Sequence, residues 1–265
     1  MKVFDFLRKN LLEITRDCDS EIFCIRGVWD FDMRSNPVPK ERVFRESGYL
    51  VASYGIGTSF RLDSRTPDLD SVIGYDGRIL VADDRALEVA ALDSCYAYVN
   101  PSPCLIHNLV GSSTHKASLR AKIVLDELER IVGTHSKVLM IGVVKTIVEE
   151  ATSRGMSVLL SDFDLEVVGS TICDIQVRDG AENANLISKS DIVLVTGMTI
   201  STDTLDDLLE QANLHEVSTV IYAQTGSNFG AAYLKLGVTS VIGEHFPWYC
   251  IPGQSTIEIH RSEGG

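Results

Sequence analysis

The sequence predicts an α/β protein. A parallel sheet covered by helices on both faces fills residues 117–265, behind a smaller α+β domain over residues 1–116. Three observations predict it. From Ala117 onward, strand-like and helical runs alternate, as βαβ units require. VLMI (138–141), IVLV (192–195) and TVIYA (219–223) are continuously apolar, the pattern of strands buried on both faces. KVLMIG, a helix and LLSDFD then form a strand–helix–strand unit that ends in acids.

The elements follow in order. The N-terminus is an amphipathic helix with Val3, Phe6, Leu7, Leu11 and Ile14 on one face. EIFCIRGVWDFDM (21–33) carries a strand, which Pro37 and Pro39 interrupt. YLVASYGIGTSF (49–60) reads as another, its glycines marking a bulge or a close approach of backbone. DDRALEVAALDSCYAYV (83–99) is a helix ending at Asn100-Pro101, with Leu87, Ala90, Ala91, Ser94 and Cys95 as a small-residue face suited to a sheet. NPSPCLIHNLVGSSTH (100–115) is polar and turn-rich, a surface connection or part of a cleft.

The C-terminal run is more regular. ASLRAKIVLDELERIV is a helix, KVLMIG a strand and TIVEEATSRG a helix closed by glycine. SVLLSDFD and STICDIQV are strands, AENANLISKS a short helix and DIVLVTG a strand. TDTLDDLLEQAN is a helix that Thr202 or Thr204 can cap, Asp207 completing a capping box if Thr204 is the cap. STVIYAQTG, the helix GAAYLKLG and a last parallel strand, SVIGE, complete the pattern.

Composition narrows the function. In 265 residues, 37 acids against 24 bases give a formal net charge of −13 with no basic cluster, which argues against a nucleic-acid surface. No apolar run reaches the roughly 20 residues that cross a bilayer, and charges interrupt any signal-peptide core. The six cysteines are scattered without a CxxC, which predicts reduced thiols and a cytoplasmic protein. Apolar edge elements suggest a homodimer. Ser112, Ser113 and His115 lack a nucleophile-elbow pattern, so hydrolase chemistry is disfavoured.

Ligands of open parallel sheets collect outside the carboxyl ends of the strands. Gly142, Asp162, Asp164, Thr196, Gly197 and Thr199 fall there, with Thr225 in QTGSN and Glu244-His245 after the last strand. Asp162 lies 20 residues after Gly142, the usual separation of a ribose-binding acid. Yet Gly142-Val143-Val144-Lys145-Thr146 lacks the glycines that cradle a pyrophosphate. An adenosyl ligand without pyrophosphate, S-adenosylmethionine above all, fits this half-signature better than NAD. Trp29, beside Asp30 and Asp32, and Tyr54 are candidate walls for a cationic ligand through cation–π attraction. No catalytic residue can be picked, and no metal-ligand spacing is present.

KVLMIG, LLSDFD, SDIVLVTGMTISTDTLDDLL, STVIYAQTGS and LGVTSVIGE together resemble the Rossmann-like heavy-metal-chelation family, domain of unknown function 364, over about residues 120 to 246. Residues 1–110, including EVAALDSCYAYVNP, resemble a diverged enolase N-terminal domain. The resemblance implies metal ligation by His, Cys or carboxylates, although no ligand set of the family maps onto this chain. The loop after Gly142 also departs from the family pattern. The sequence thus predicts an S-adenosylmethionine-binding enzyme acting at the sulfonium, by methyl transfer or by intramolecular cyclisation or lyase chemistry. The alternative is a metal- or metallophore-binding protein, for which His107, His115 or His245 would supply ligands.

Overall fold

The computed structural model describes residues 1–35, 44–61 and 68–262. The proline-bearing interruption at Pro37 and Pro39 lies outside the described residues. Helix α1 (Val3–Ile14) opens the chain and buries Val3, Phe4, Leu7 and Leu11. Ile14, at the end of the predicted apolar face, is exposed instead. Each fully buried leucine contributes about 2 kcal/mol.

Strands β1 (Gly27–Ser35), β2 (Phe44–Ala52) and β3 (Ile56–Arg61) form an antiparallel meander. The run from Tyr49 to Phe60, read as one strand, is thus a hairpin that reverses at 53–55. Helix α2 (Arg85–Tyr96) packs on this small sheet, capped by Asp84, whose side chain accepts from the Ala86 N–H. A Cβ on Gly57 would lie 2.1 Å from the Ala90 carbonyl oxygen, so this glycine does permit close backbone approach, of β3 onto α2. Leu87, Ala90 and Ala91 face the meander, while Val89, Leu92, Cys95 and Tyr96 join the core of the larger sheet. Eleven α2 residues are buried, which makes this helix the wedge between the two sheets.

The larger sheet is built from β4 (Leu105–Gly111), α3 (Ser113–Val132), β5 (Lys137–Ile141), α4 (Lys145–Ser153), β6 (Ser157–Asp162), β7 (Thr171–Ile172), β8 (Ile175–Asp179), α5 (Asn183–Ile187), β9 (Ile192–Thr196), α6 (Met198–Ser201), α7 (Leu205–Leu214), β10 (Ser218–Ala223), α8 (Gly230–Leu234), β11 (Ser240–Glu244) and β12 (Gly253–Arg261). Its strand order is β4-β12-β11-β10-β9-β5-β6-β8-β7, with a parallel centre from β11 to β8. Apolar side chains alternate between faces: Val138 and Met140 point to α3 and α4, Leu139 and Ile141 to α1, α5 and α7. The continuous apolar runs are therefore two stripes, one for each helical layer.

Four local readings change. NPSPCLIHNLVG is not merely a connection but contains β4, the edge strand paired antiparallel with β12. STICDIQV is a tight hairpin of β7 and β8, with Cys173 and Asp174 at positive φ. SVIGE is the last parallel strand, β11, but a further strand that the reading missed, β12, follows it and pairs antiparallel with it. Thr204 makes no side-chain cap on α7; its hydroxyl pairs with that of Thr202 at 2.9 Å. All six cysteines are free. Among the described residues, no helix is long and apolar enough to cross a membrane.

Candidate functional site

Chain order places the crevice. From β5 the chain moves outward through β6 and β8, then returns to β9 on the other side and continues to β10 and β11. The carboxyl ends of β5 and β9 therefore flank the topological switch point. Gly142 and Thr196 stand there: a Cβ on Gly142, which has φ +82°, would lie 2.3 Å from Thr196 Oγ1. Gly197 packs closely under the Thr225 carbonyl.

Asp162 ends the neighbouring strand. Its Oδ2 accepts the Val143 N–H at 3.0 Å and its Oδ1 the Asp164 N–H at 3.0 Å. The carboxylate is thereby fixed beside the loop that follows Gly142, and each oxygen retains a lone pair. Asp164 turns away to accept the Glu166 N–H at 2.9 Å. Phe163, which the sequence reading passed over, is 47% exposed. Its ring lies over Gly180 beyond the end of β8, where a Cβ would meet the ring at 2.6 Å. An acid and an aromatic face thus adjoin at the strand ends.

The other predicted residues are divided by the meander. Thr199 is buried and donates to the Thr196 carbonyl at 2.9 Å. Thr225 is buried too, and its Oγ1 accepts the Phe60 N–H at 3.0 Å. Thr58 donates to the Gln224 carbonyl at 2.5 Å and accepts the Gly226 N–H at 3.1 Å. Strand β3 therefore lies across the loop after β10. Trp29 and Tyr54, 54% and 58% exposed, stand on the meander, Tyr54 stacked edge-on against Tyr98 with ring centroids 5.0 Å apart.

Beyond β3, a buried ionic network fills the α3 side of the ends of β10 and β11. Glu244 accepts from Gln224 Nε2 at 2.8 Å, from the Tyr249 N–H at 2.7 Å and from the Tyr222 hydroxyl. Arg120, also buried, donates to Thr146 Oγ1 at 2.5 Å and stacks 3.7 Å over the Tyr249 ring. Burial pushes the Tyr222 phenol well up and the Lys116 ammonium down.

After β11 and along β12, a cleft of about 430 Å³ is lined by His245, Glu258, Asn100, Asn228 and Thr256, among others. His245 Nδ1 is 3.1 Å from Ser227 Oγ, and its Nε2 is 3.1 Å from Glu258 Oε2. His260 Nε2 approaches the same oxygen at 3.8 Å. Hydrogen bonding to His245 and then His260 holds the Glu258 carboxyl far below the usual range. Behind this cleft, fully buried Asp93 accepts from the Thr58 N–H at 2.9 Å and the Asn228 N–H at 2.8 Å. Burial pushes its carboxyl up to about 7. Glu258, Asn100 and Asp93 were invisible as a group because they lie far apart in sequence.

Among the described residues, no three His, Cys, Asp or Glu side chains form a group that could hold a metal ion. His107 lies on β4, His115 in the first turn of α3 and His245 after β11. The residues described do not fit a bound metal.

Residues 126–243 match the model of the family DUF364, described as "Putative heavy-metal chelation". Two solved structures of DUF364 proteins of unknown function share the fold. One, from Desulfitobacterium hafniense DCB-2, has a TM-score of 0.59 at 12% identity, covering 94% of this chain and 98% of that one. The other, from Pyrococcus horikoshii, has a TM-score of 0.54 at 14% identity, covering 91% and 87%. No curated protein matches the chain.

Proposed function

With a DUF364 domain at residues 126–243 as the premise, we propose that this protein binds an adenosyl compound, S-adenosylmethionine above others, at the strand ends of β5, β6 and β8, and acts at its sulfonium. The observation that carries the reading is the pairing of Asp162 with Phe163. A carboxylate pinned by the Val143 N–H offers its free lone pairs to ribose hydroxyls, and a half-exposed ring beside it offers a face to adenine.

What the loop lacks supports the choice of ligand. Gly142-Val143-Val144 leads into α4 without a glycine nest, so a pyrophosphate has no cradle. The net charge of −13 disfavours phosphates and favours a cationic sulfonium. Methyl transfer and intramolecular displacement at sulfur both depend on positioning and water exclusion more than on a strong base. The meander across the β10 loop supplies a wall for such exclusion.

Thermal unfolding with a ligand panel tests the proposal. A ligand at one hundred times its Kd stabilises the folded chain by about 2.7 kcal/mol. S-adenosylmethionine and S-adenosylhomocysteine are expected to raise the Tm, NAD and ATP to leave it unchanged, and Phe163→Ala to abolish the rise. An equal shift with NAD, or a shift indifferent to Phe163→Ala, overturns the site.

A further inference from the structure

The cleft beyond β11 shares no lining residue with the Asp162 crevice. Its wall carries the carboxylate of Glu258, and no lysine or arginine lines it. Lys235, which lines an adjoining cavity of about 140 Å³, is tied to Asn10 Oδ1 at 3.0 Å. Asp93 adds a second buried carboxyl behind Asn228. The described contacts of the Glu258 carboxylate all fall on one oxygen: Oε2 receives Asn100 Nδ2 at 3.3 Å, His245 Nε2 at 3.1 Å and His260 Nε2 at 3.8 Å. Oε1 has no partner among the described residues. Asn100 Oδ1 is buried without a hydrogen-bond partner, so the wall holds further unspent polar capacity.

Ser227, His245 and Glu258 are connected like an acyl-transfer triad, but two facts exclude that use. Ser227 is 2% exposed, and the Asn228 N–H, which would serve an oxyanion, is committed to Asp93 at 2.8 Å. The relay orients the ring instead of activating a nucleophile. A cleft with a carboxylate, a vacant acceptor oxygen and no lysine or arginine in its lining recognises a cation that donates hydrogen bonds.

We propose that this cleft is a second ligand site, which takes a small molecule bearing a primary ammonium group, with Glu258 as its counter-ion and the His245 ring beside it. It is independent of the adenosyl crevice.

Ligand-detected NMR with n-butylammonium, 1,4-diaminobutane and the neutral analogue 1-butanol tests it on the full chain. Both amines are expected to bind and to shift the His245 imidazole resonances, while 1-butanol does neither. Glu258→Gln is expected to weaken amine binding at least about tenfold, the loss typical of a charge-assisted hydrogen bond. Should that variant fail to fold, the wild-type imidazole shifts and the 1-butanol comparison decide. Equal binding of 1-butanol, unchanged affinity in a folded Glu258→Gln, or unmoved imidazole signals overturns the proposal. Asp162→Asn should leave amine binding unaltered, so failure here is distinguishable from failure of the adenosyl site.

Discussion

Glu127 on α3 ties the helical layer to the antiparallel edge that carries Glu258. Its carboxylate receives Arg261 at 2.7 Å, Arg130 at 3.0 Å and Ser240 Oγ at 2.7 Å. Burial alone would raise its pKa, but Arg261, Arg130 and Ser240 more than offset that and hold the carboxyl down to about 2. Against the ordinary value of 4.5, the difference is worth about 3.5 kcal/mol at roughly 1.4 kcal/mol per pH unit. Both arginines are more than a quarter exposed, so screening reduces the expected figure to about 2 kcal/mol. The folded-state pKa is depressed, so this stability is fully present above 4.5 and is lost as pH falls to about 2.

Glu127→Gln removes the charge and keeps the shape. Urea unfolding should place it about 2 kcal/mol below wild type near neutral pH, with the gap narrowing steadily as pH falls from 4.5 to about 2. A variant as stable as wild type at neutral pH would refute the ion-pair account. A gap that stays constant through that acid window would show that packing, not charge, holds α3 to β12.

Two further outcomes follow from buried groups. Asp93 has a raised folded-state pKa of about 7, so its contribution is fully present below the ordinary 3.8 and is lost as pH rises through about 7. The urea midpoint of wild type should therefore fall relative to Asp93→Asn across that window, and parallel profiles would contradict the raised pKa. Gly142→Ala should cost about 2–3 kcal/mol, from the positive φ and from the clash with Thr196. Adding Thr196→Ala should restore the clash part and leave about 1 kcal/mol of backbone strain; no recovery in a double-mutant cycle would place the cost elsewhere.

The parallel sheet was legible because strands buried on both faces leave unbroken apolar runs, such as Val138–Ile141 and Ile192–Val195. Its antiparallel margins were harder to read. In β4 only Leu109 is buried, and His107 and Asn108 give the segment a loop-like composition. In β12 the inward residues Ser255, Ile257 and Ile259 do alternate with outward ones, a signal the reading missed after the turn at FPWY. The hairpin at 53–55 was hidden because β2 and β3 share apolar residues on either side of a glycine. Local spacing did place Gly142, Asp162 and Thr196 at the carboxyl ends of their strands. It could not place Phe163 over Gly180 or bring Asn100, His245 and Glu258 together, since those contacts come from strand order and not from neighbours in sequence.

Calorimetric titration of metal-free protein with S-adenosylmethionine, on wild type and on Asp162→Asn, tests the central claim most directly. The substitution keeps one acceptor, enough for the Val143 N–H but not also for that of Asp164, while removing the charge offered to the ribose. Saturable heat in wild type, with affinity lowered about tenfold or more in Asp162→Asn, is the predicted result. No saturable heat in wild type, or equal affinities in the two proteins, would contradict an adenosyl site at the end of β6.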